Sequence, residues 1–333
     1  MGDKAAASYA VPVIDISNPD TAAVSRAMWE AANTVGFFTV TGHGIPLDKI
    51  DDTFECSREF FAQGLDAKEQ QAPFKREFNS GYEHMKQVRP STGLPDVKES
   101  MQITARGSAM EGRWPSTPGD FEGRTKGFMD AAFGLGSRIL DLLEPPACPN
   151  NPPGTLAKSH TLWGEGGQCT LRMLNYPPQT NAQLKGLPPG SWRAGAHTDW
   201  CCITLLFQRM GESGLECAAN PLASGGTQWA PVSPVLGGVA VNVGDMLSRW
   251  SDGRLLSNLH RVRMPDPLPE GAPADAMVDG RYSLAFFMQA DKSAVIECSN
   301  HEPITAGDYI LGRIKSNFTP STNTPDAAAA AAK

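Results

Sequence analysis

Two histidines and an aspartate in the second half of the chain could bind one metal ion together. Only Thr198 separates His197 from Asp199, and His260 follows sixty-one residues after that aspartate. Side chains at positions i and i+2 of a β-strand point to the same side, so an extended segment here would direct His197 and Asp199 at one ion. Two imidazoles and one carboxylate are the ligand set of non-haem iron(II) sites that activate O2. The spacing therefore predicts a redox-active metal centre on a strand.

Arg281 and Ser283 form a second i, i+2 pair, twenty-one residues after His260. A guanidinium and a hydroxyl together match a planar carboxylate, because the guanidinium donates two parallel bonds and the serine adds a third. Residues 284–287 are apolar, and an arginine buried among them without an anion would be costly. We therefore expect a bound carboxylate inside the fold, with an exposed pair on an edge strand as the alternative.

Further motifs occur in a fixed order along most of the chain, and together they are more specific than any one of them. They are VPVID at 11–15, GFF through HGIP at 36–46, PDVKE at 95–99, NVGDM through WSDG at 242–253, and LHRV at 259–262. With this set the chain resembles the iron(II)/2-oxoglutarate-dependent oxygenases, in the isopenicillin N synthase-like branch.

The resemblance implies that His197, Asp199 and His260 bind Fe(II), and that Arg281 and Ser283 bind the distal carboxylate of 2-oxoglutarate. It also implies a reaction that consumes O2 and 2-oxoglutarate and releases succinate and CO2, while an unactivated C–H bond of a small-molecule metabolite is oxidised. Hydroxylation is the default outcome, and desaturation, ring formation and ring expansion remain open.

One position departs from the family pattern near the expected cosubstrate. Tyr176 matches a tyrosine that helps to hold 2-oxoglutarate, but Leu174 stands where the family usually has asparagine. Arg172 would share a strand face with Leu174, which makes it a candidate for the missing polar contact or for binding a substrate carboxylate.

Substrate recognition is expected from positions that line the site in relatives. A carboxylate or another polar group on the substrate would pair with an arginine, whereas a polycyclic apolar substrate would contact methionine and phenylalanine. The candidates are Tyr82, His84, Arg89, Glu99, Met101, Arg172, Phe287 and Gln289.

Two other functions are compatible with the metal ligands alone. A 2-oxoglutarate-independent iron oxidase would keep the triad, but would not need Arg281 and Ser283 around a cosubstrate. A zinc hydrolase or a non-catalytic ligand-binding relative could also use two histidines and an acid. Against the hydrolase, no glutamate lies beside His197 to act as a general base.

The elements that must position these residues form a mainly β protein with flanking helices. Apolar periodicity predicts helices over 24–35 and 47–61 and one carrying Phe128 to Leu143, and short alternating runs predict strands from Thr170 onward, at 194–199, 203–207, 238–243 and 281–288. The resemblance implies a double-stranded β-helix, or jelly-roll, core. We divide one integrated unit into an N-terminal region (1–120), a helix with a Pro-rich loop (121–165), the catalytic core (166–295) and a C-terminal helix with an Ala-rich tail (296–333).

Local signals make three further predictions about loops and ends. The prolines of 144–154 predict a surface loop. Thr305 to Asp308 has the form of a capping box that opens a helix. The Ala-rich run 326–332 has no apolar stripe to bury, so we expect it to fray.

Composition and charge limit the function classes. The net charge of −7 and the pI near 5.4 disfavour nucleic acid as a partner. No apolar run is long enough to span a bilayer, and no signal peptide is recognisable, so a membrane partner is not expected either. The seven scattered cysteines favour a reducing compartment. We therefore expect a soluble, cytoplasmic protein that acts on a small molecule.

Overall fold

The computed structural model describes residues 10–88, 93–222 and 227–318, the last four of them by their backbone only. The helices are α1 (Thr21–Thr34), α2 (Leu47–Phe61), α3 (Leu65–Gln71), α4 (Gly107–Met110), α5 (Phe121–Ala147), α6 (Thr155–Lys158), α7 (Asn181–Gly186), α8 (Asp245–Trp250) and α9 (Ala306–Phe318). The strands are β1 (Val13–Asp15), β2 (Phe37–Thr41), β3 (Gly81–His84), β4 (Glu99–Thr104), β5 (Thr170–Tyr176), β6 (Gln179–Thr180), β7 (Ala194–His197), β8 (Ile203–Gln208), β9 (Leu215–Ala218), β10 (Trp229–Pro231), β11 (Val239–Val243), β12 (His260–Val262), β13 (Met277–Val278), β14 (Arg281–Met288), β15 (Val295–Cys298) and β16 (His301–Thr305).

Two sheets form the β core. The larger sheet has the strand order β1-β2-β11-β8-β14-β5-β4-β3, and the smaller sheet has the order β10-β9-β12-β7. Apolar residues of both sheets pack together in one buried cluster, among them Leu174 and Ala285 from the larger sheet and Leu215 and Val262 from the smaller one. The two sheets therefore face each other, as expected for a jelly-roll core.

The two faces of the larger sheet have different neighbours. Along β14, Ser283 and Ala285 face the smaller sheet, whereas Leu284 and Phe286 belong to the main apolar core under the helices. This follows from the alternation of side chains along a strand. Helices α1, α2 and α5 cover the outer face, where Phe128 of α5 meets Phe207 of β8 with ring centroids 4.8 Å apart. Burying such a ring contributes roughly 1.5–3 kcal/mol, which fixes the sheet against the helices.

The first helix ends as its sequence predicts. Helix α1 stops at Thr34, and Gly36 follows with a φ of +80°. A Cβ at this glycine would lie 2.0 Å from the carbonyl oxygen of Leu256, so the position also requires a residue without a side chain. The chain turns sharply there and enters β2 in the larger sheet.

The loop predicted for 144–154 is partly wrong, because α5 continues through both prolines to Ala147. Pro145 and Pro146 lie in the last turn, where a missing N–H leaves a carbonyl without its helical donor. The hydroxyl of Ser25 in α1 donates to the carbonyl oxygen of Leu142 at 2.7 Å and supplies one of these bonds. The prolines are therefore tolerated because a neighbouring helix satisfies the backbone.

The C-terminal helix begins at the predicted cap. The backbone N–H of Asp308 donates to Thr305 Oγ1 at 3.1 Å, and the Thr305 hydroxyl donates to the Asp308 carboxylate at 2.8 Å. The Ala-rich run 326–332 lies outside the described residues. Among helices within 10–88, 93–222 and 227–318, none combines the length and apolar character needed to cross a bilayer.

Candidate metal centre

The three predicted ligands meet between the two sheets. His197 ends β7, His260 begins β12, and the two residues are register partners in this antiparallel pair. Their ring centroids are 4.3 Å apart. Asp199 follows two residues after His197 in the segment that leaves β7, which ends sooner than the predicted strand 194–199. One ligand atom from each residue lies within 4.8 Å of the others.

Backbone carbonyls fix both imidazoles in one orientation. His197 Nδ1 donates to the carbonyl oxygen of Gly195 at 2.8 Å, and His260 Nδ1 donates to that of Asn258 at 3.3 Å. A neutral imidazole that donates through Nδ1 carries its lone pair on Nε2. Both Nε2 atoms lie 3.7 Å from Asp199 Oδ1. The two rings therefore present their metal-binding nitrogens to the same place.

The carboxylate of Asp199 is held in position from the larger sheet. Asp199 Oδ2 accepts hydrogen bonds from Thr204 Oγ1 at 2.6 Å and Asn242 Nδ2 at 2.9 Å, which leaves Oδ1 directed at the imidazoles. Burial alone would raise the pKa of Asp199, but the positive charges that His260 and His197 carry when they are protonated, together with these two hydrogen bonds, outweigh it and lower the pKa to about 2. The group is an anion at neutral pH, as a metal ligand must be.

Asp245, at the start of α8, connects the two segments that carry the ligands. Its carboxylate accepts from Thr198 Oγ1 at 3.1 Å and from Ser257 Oγ at 2.5 Å. Arg313 of α9 forms a salt bridge with the same carboxylate. Our sequence reasoning did not identify this role, although Asp245 belongs to the quoted NVGDM motif.

Arg281 is almost fully buried in a polar pocket next to Tyr176. Its Nη1 donates to Ser283 Oγ at 3.2 Å and its Nη2 to Gln208 Oε1 at 3.0 Å, and the guanidinium carbon lies 5.1 Å from the Tyr176 ring centroid. Its Nε is buried and has no hydrogen-bond partner among the described residues. A buried donor without a partner is costly, so the pocket fits an anion such as a carboxylate. Gln208 was not among the predicted residues.

The metal ligands and the arginine pocket line one cavity between the sheets, which we call the central cavity. Apolar side chains form much of its wall. Its lining comprises Phe37, Lys98, Arg172, Leu174, Tyr176, Ala194, His197, Asp199, Thr204, Leu206, Leu215, Asn242, His260, Val262, Arg281, Ser283, Ala285 and Phe287.

The candidate substrate residues divide between the two faces of the larger sheet. Arg172 and Phe287 line the central cavity, whereas Tyr82 and Met101 do not. Register pairs Tyr82 with Met101 and Met101 with Met173, and all three belong to the core under the helices. The structure therefore places Tyr82 and Met101 away from the expected substrate position.

The other candidates also lie apart from the cavity or cannot be located. Glu99 is buried on the helix-facing side, where its carboxylate binds Lys68 and accepts a bond from Asn175 at 2.7 Å. His84 and Gln289 are not among the described residues that line the central cavity. Arg89 lies outside the described residues. At Leu174 an apolar side chain lines the cavity, and the neighbouring Asn175 faces the opposite side.

Comparisons with known proteins agree with this geometry. A family model described as the 2OG-Fe(II) oxygenase superfamily matches residues 168–290, and one described as non-haem dioxygenase in morphine synthesis N-terminal matches residues 11–117. The chain is 30% identical to 2-oxoglutarate-dependent dioxygenase caaD of Aspergillus niger, over 76% of each chain. It is 29% identical to 2-oxoglutarate-Fe(II) type oxidoreductase hxnY of Emericella nidulans, over 94% of this chain and 91% of that protein.

A solved structure has the same fold over nearly the whole chain. A full-length Neurospora crassa protein, crystallised in complex with alpha-KG and thymine, superposes with a TM-score of 0.74 at 25% identity, covering 92% of this chain and 97% of that one. The expected jelly-roll fold, the cofactors Fe(II) and 2-oxoglutarate, and the dioxygenase activity are confirmed. Both halves of the chain match in their expected order, and this protein belongs to the 2OG-Fe(II) oxygenase superfamily.

Proposed function

We propose that His197, Asp199 and His260 hold the Fe(II) in this chain, and that Arg281 and Ser283 bind the distal carboxylate of 2-oxoglutarate. The observation that carries the proposal is that one cavity contains both a three-ligand cluster and a buried guanidinium with an unmatched donor. A site built for zinc hydrolysis or for a 2-oxoglutarate-independent oxidase would not need that guanidinium.

The side chains of this site act by orienting and by excluding water. The carbonyl of Gly195 keeps the His197 lone pair on Nε2, and Thr204 keeps one carboxylate oxygen of Asp199 directed at the cation. Arg281 fixes which end of 2-oxoglutarate reaches the metal, and the Tyr176 ring closes one side of that pocket. Apolar residues of the cavity wall keep water from the reacting carbon.

The bound Fe(II) and 2-oxoglutarate supply the oxidation of an unactivated C–H bond. In the default hydroxylation, substrate, O2 and 2-oxoglutarate are converted to hydroxylated substrate, succinate and CO2, so one oxygen atom enters each organic product. The substrate we propose is a small-molecule metabolite. The thymine bound to the Neurospora crassa protein supports a small molecule in the corresponding cavity here.

Stoichiometry with Fe(II) and 2-oxoglutarate tests this function. We expect O2 consumption to match succinate formation in the wild-type protein. Both should proceed slowly when no metabolite substrate is added. We expect both to be lost in Asp199→Ala, because the metal would lose one of its three protein ligands, and the anionic one. Asp266→Asn, which changes an exposed carboxylate, is the matched control.

Three outcomes would contradict the proposal. Turnover retained in Asp199→Ala would remove the ligand assignment. O2 uptake without succinate would indicate an oxidase that does not use 2-oxoglutarate, and hydrolysis that depends on Zn²⁺ but not on O2 would indicate a hydrolase. Calorimetric titration of Asp199→Ala and wild-type protein with Ni²⁺ checks the ligand assignment without turnover.

A further inference from the structure

A second buried arginine lies at the Arg281 end of the central cavity. Arg193 is 4% exposed and directly precedes Ala194, which begins β7 and lines the cavity. Its Nη2 donates to the carbonyl oxygen of Asp279 at 2.9 Å, and Asp279 is two residues before Arg281 in the chain. The Arg193 guanidinium is therefore anchored beside the pocket proposed for the distal carboxylate of 2-oxoglutarate.

Both arginines pack against the ring of Tyr176. The guanidinium carbon of Arg281 lies 5.1 Å from the ring centroid, and that of Arg193 lies 5.9 Å from it. Tyr176 is buried and lines the central cavity. An aromatic ring attracts cations through its face, and more strongly where water is excluded. This ring therefore holds two positive charges close to one pocket.

Two buried cations at this separation repel each other. Burial lowers the pKa of Arg193 to about 10, and the charge of Arg281 lowers it further in the same direction. The Glu212 carboxylate attracts both guanidiniums through space, while it also bridges Arg209 at 3.7 Å and accepts from the backbone N–H of Tyr282 at 2.6 Å. A second negative charge in the pocket would relieve the repulsion between the two arginines.

In the proposed function, the distal carboxylate of 2-oxoglutarate supplies that negative charge. Arg281 and Ser283 bind it directly, whereas Arg193 acts on it from beside the Tyr176 ring. We infer that Arg193 is a positioning residue for the cosubstrate, and that its charge strengthens the preference for a 2-oxo diacid over a 2-oxo monoacid. This inference rests on the proposed function and adds to it a residue that the sequence motifs did not indicate.

Two oxo acids that differ only at the distal end test the inference. We would titrate Ni²⁺-loaded protein with 2-oxoglutarate and with 2-oxopentanoate, which has a methyl group in place of the distal carboxylate, by calorimetry. In Arg193→Gln the affinity for 2-oxoglutarate should fall roughly five- to twentyfold, because one charge near the carboxylate is lost. The affinity for 2-oxopentanoate should not change. Arg193→Lys should keep most of the preference for the diacid, because the charge remains.

A variant of opposite sign and a control complete the experiment. Glu212→Gln should raise the preference for 2-oxoglutarate, because it removes a negative charge near both arginines and keeps an acceptor for the Tyr282 N–H. Arg26→Gln, at an exposed arginine of α1, should behave as wild type. Unchanged binding of Ni²⁺ and 2-oxopentanoate shows that each variant is folded.

The outcomes separate this inference from the function on which it rests. An equal loss of affinity for both oxo acids in Arg193→Gln would indicate a purely structural role. That result, an unchanged preference in Arg193→Gln, or a preference that does not rise in Glu212→Gln would overturn the role of Arg193 alone. Absence of 2-oxoglutarate binding to wild-type protein would instead overturn the proposed function.

Discussion

At the scale of single residues, two arginines of the same sheet have different environments. Arg281 is held by Ser283 and Gln208 in a closed pocket, and its Nε has no protein partner among the described residues. Arg172 is held by Gln102 on the cavity wall. The first arrangement supports the proposed site for the distal carboxylate of 2-oxoglutarate, whereas the second fixes the plane of a guanidinium on the wall of the central cavity. The role proposed for Arg281 can be tested by mutation.

Arg281→Gln should weaken 2-oxoglutarate binding roughly ten- to hundredfold, because the charged partner of the distal carboxylate is lost. Arg281→Lys should bind at an intermediate level, since an ammonium keeps the charge but not the parallel fork. Calorimetric titration of the Ni²⁺-loaded variants with 2-oxoglutarate measures both effects.

Metal affinity provides the control for that experiment. Ni²⁺ should bind Arg281→Gln as it binds the wild-type protein, because Arg281 does not contact the triad. Arg263→Gln, at an arginine exposed beyond the end of β12, should not alter either affinity. Equal 2-oxoglutarate affinity in wild type and Arg281→Gln would contradict the assignment of the pocket.

At the scale of secondary-structure elements, α8 and α9 support the metal centre from behind. Asp245 binds Thr198, which stands between two ligands, and Ser257, which lies three residues before the third. Its backbone N–H also donates to the carbonyl oxygen of Asp199 at 2.7 Å. Residues outside the coordination sphere that fix ligand segments commonly change metal affinity when they are replaced.

Asp245→Asn should therefore weaken metal binding roughly ten- to hundredfold, because the amide loses the charge that binds Arg313 and one acceptor for the two hydroxyls. Titration with Ni²⁺ or Co²⁺ measures the change, and circular dichroism confirms that the variant is folded. Asp252→Asn, at a residue just beyond α8, is the matched control. A wild-type metal affinity in Asp245→Asn would show that the two ligand segments hold their positions without it.

Local spacing was enough to predict that His197 lies near Asp199 and Arg281 near Ser283, since each pair is two residues apart. The position of His260 depends instead on the pairing of β12 with β7.

The cavity wall was predicted only in part, because Arg172 and Phe287 line the central cavity whereas Tyr82 and Met101 do not. The prediction selected Met101 in β4, whereas the side chain on the cavity side is its neighbour Gln102. Which face a residue occupies depends on register, and here register is fixed by pairing with β5, some seventy residues away.

Long-range contacts also explain the helix that continues through Pro145 and Pro146. The hydroxyl that donates to the carbonyl oxygen of Leu142 in this last turn belongs to Ser25, which is 117 residues from Leu142 in sequence. No local signal at the prolines encodes that contact. Thr204 and Asn242 are a similar case, because two separate strands must pair before they can meet Asp199.

At the scale of the whole molecule, one sheet separates two interiors of different chemistry. The side under the helices is mainly apolar, and its buried Glu99 is paired with Lys68, whereas the central cavity contains the metal ligands and Arg281. His160 belongs to the helix side: its Nδ1 donates to the carbonyl oxygen of Leu156 at 2.7 Å, and its Nε2 is buried without a partner among the described residues. Burial lowers the pKa of His160 from 6.5 to about 4.

Acid should therefore destabilise the fold through His160. The unfolded chain takes up this proton below about pH 6.5 and the folded protein only near pH 4, so stability is complete above pH 6.5 and is lost as the pH falls toward 4. Between pH 7 and pH 4.5 the free energy of unfolding should decrease by about 2–3 kcal/mol more in wild type than in His160→Gln.

Urea denaturation at several pH values measures this difference. His301→Gln changes an exposed histidine on β16 and should follow the wild-type curve. A pH dependence in His160→Gln identical to that of wild type would place the acid sensitivity elsewhere.

The two ends of the central cavity differ in exposure to solvent, and this difference sets the order in which ligands bind and leave. The His197 side chain is 32% exposed, whereas Arg281 is 1% exposed. A molecule bound beside His197 would therefore lie between bulk solvent and the Arg281 pocket. 2-Oxoglutarate should therefore bind before the substrate, and succinate should leave after the product. A large excess of substrate should inhibit turnover, because substrate bound first would block the way to the Arg281 pocket.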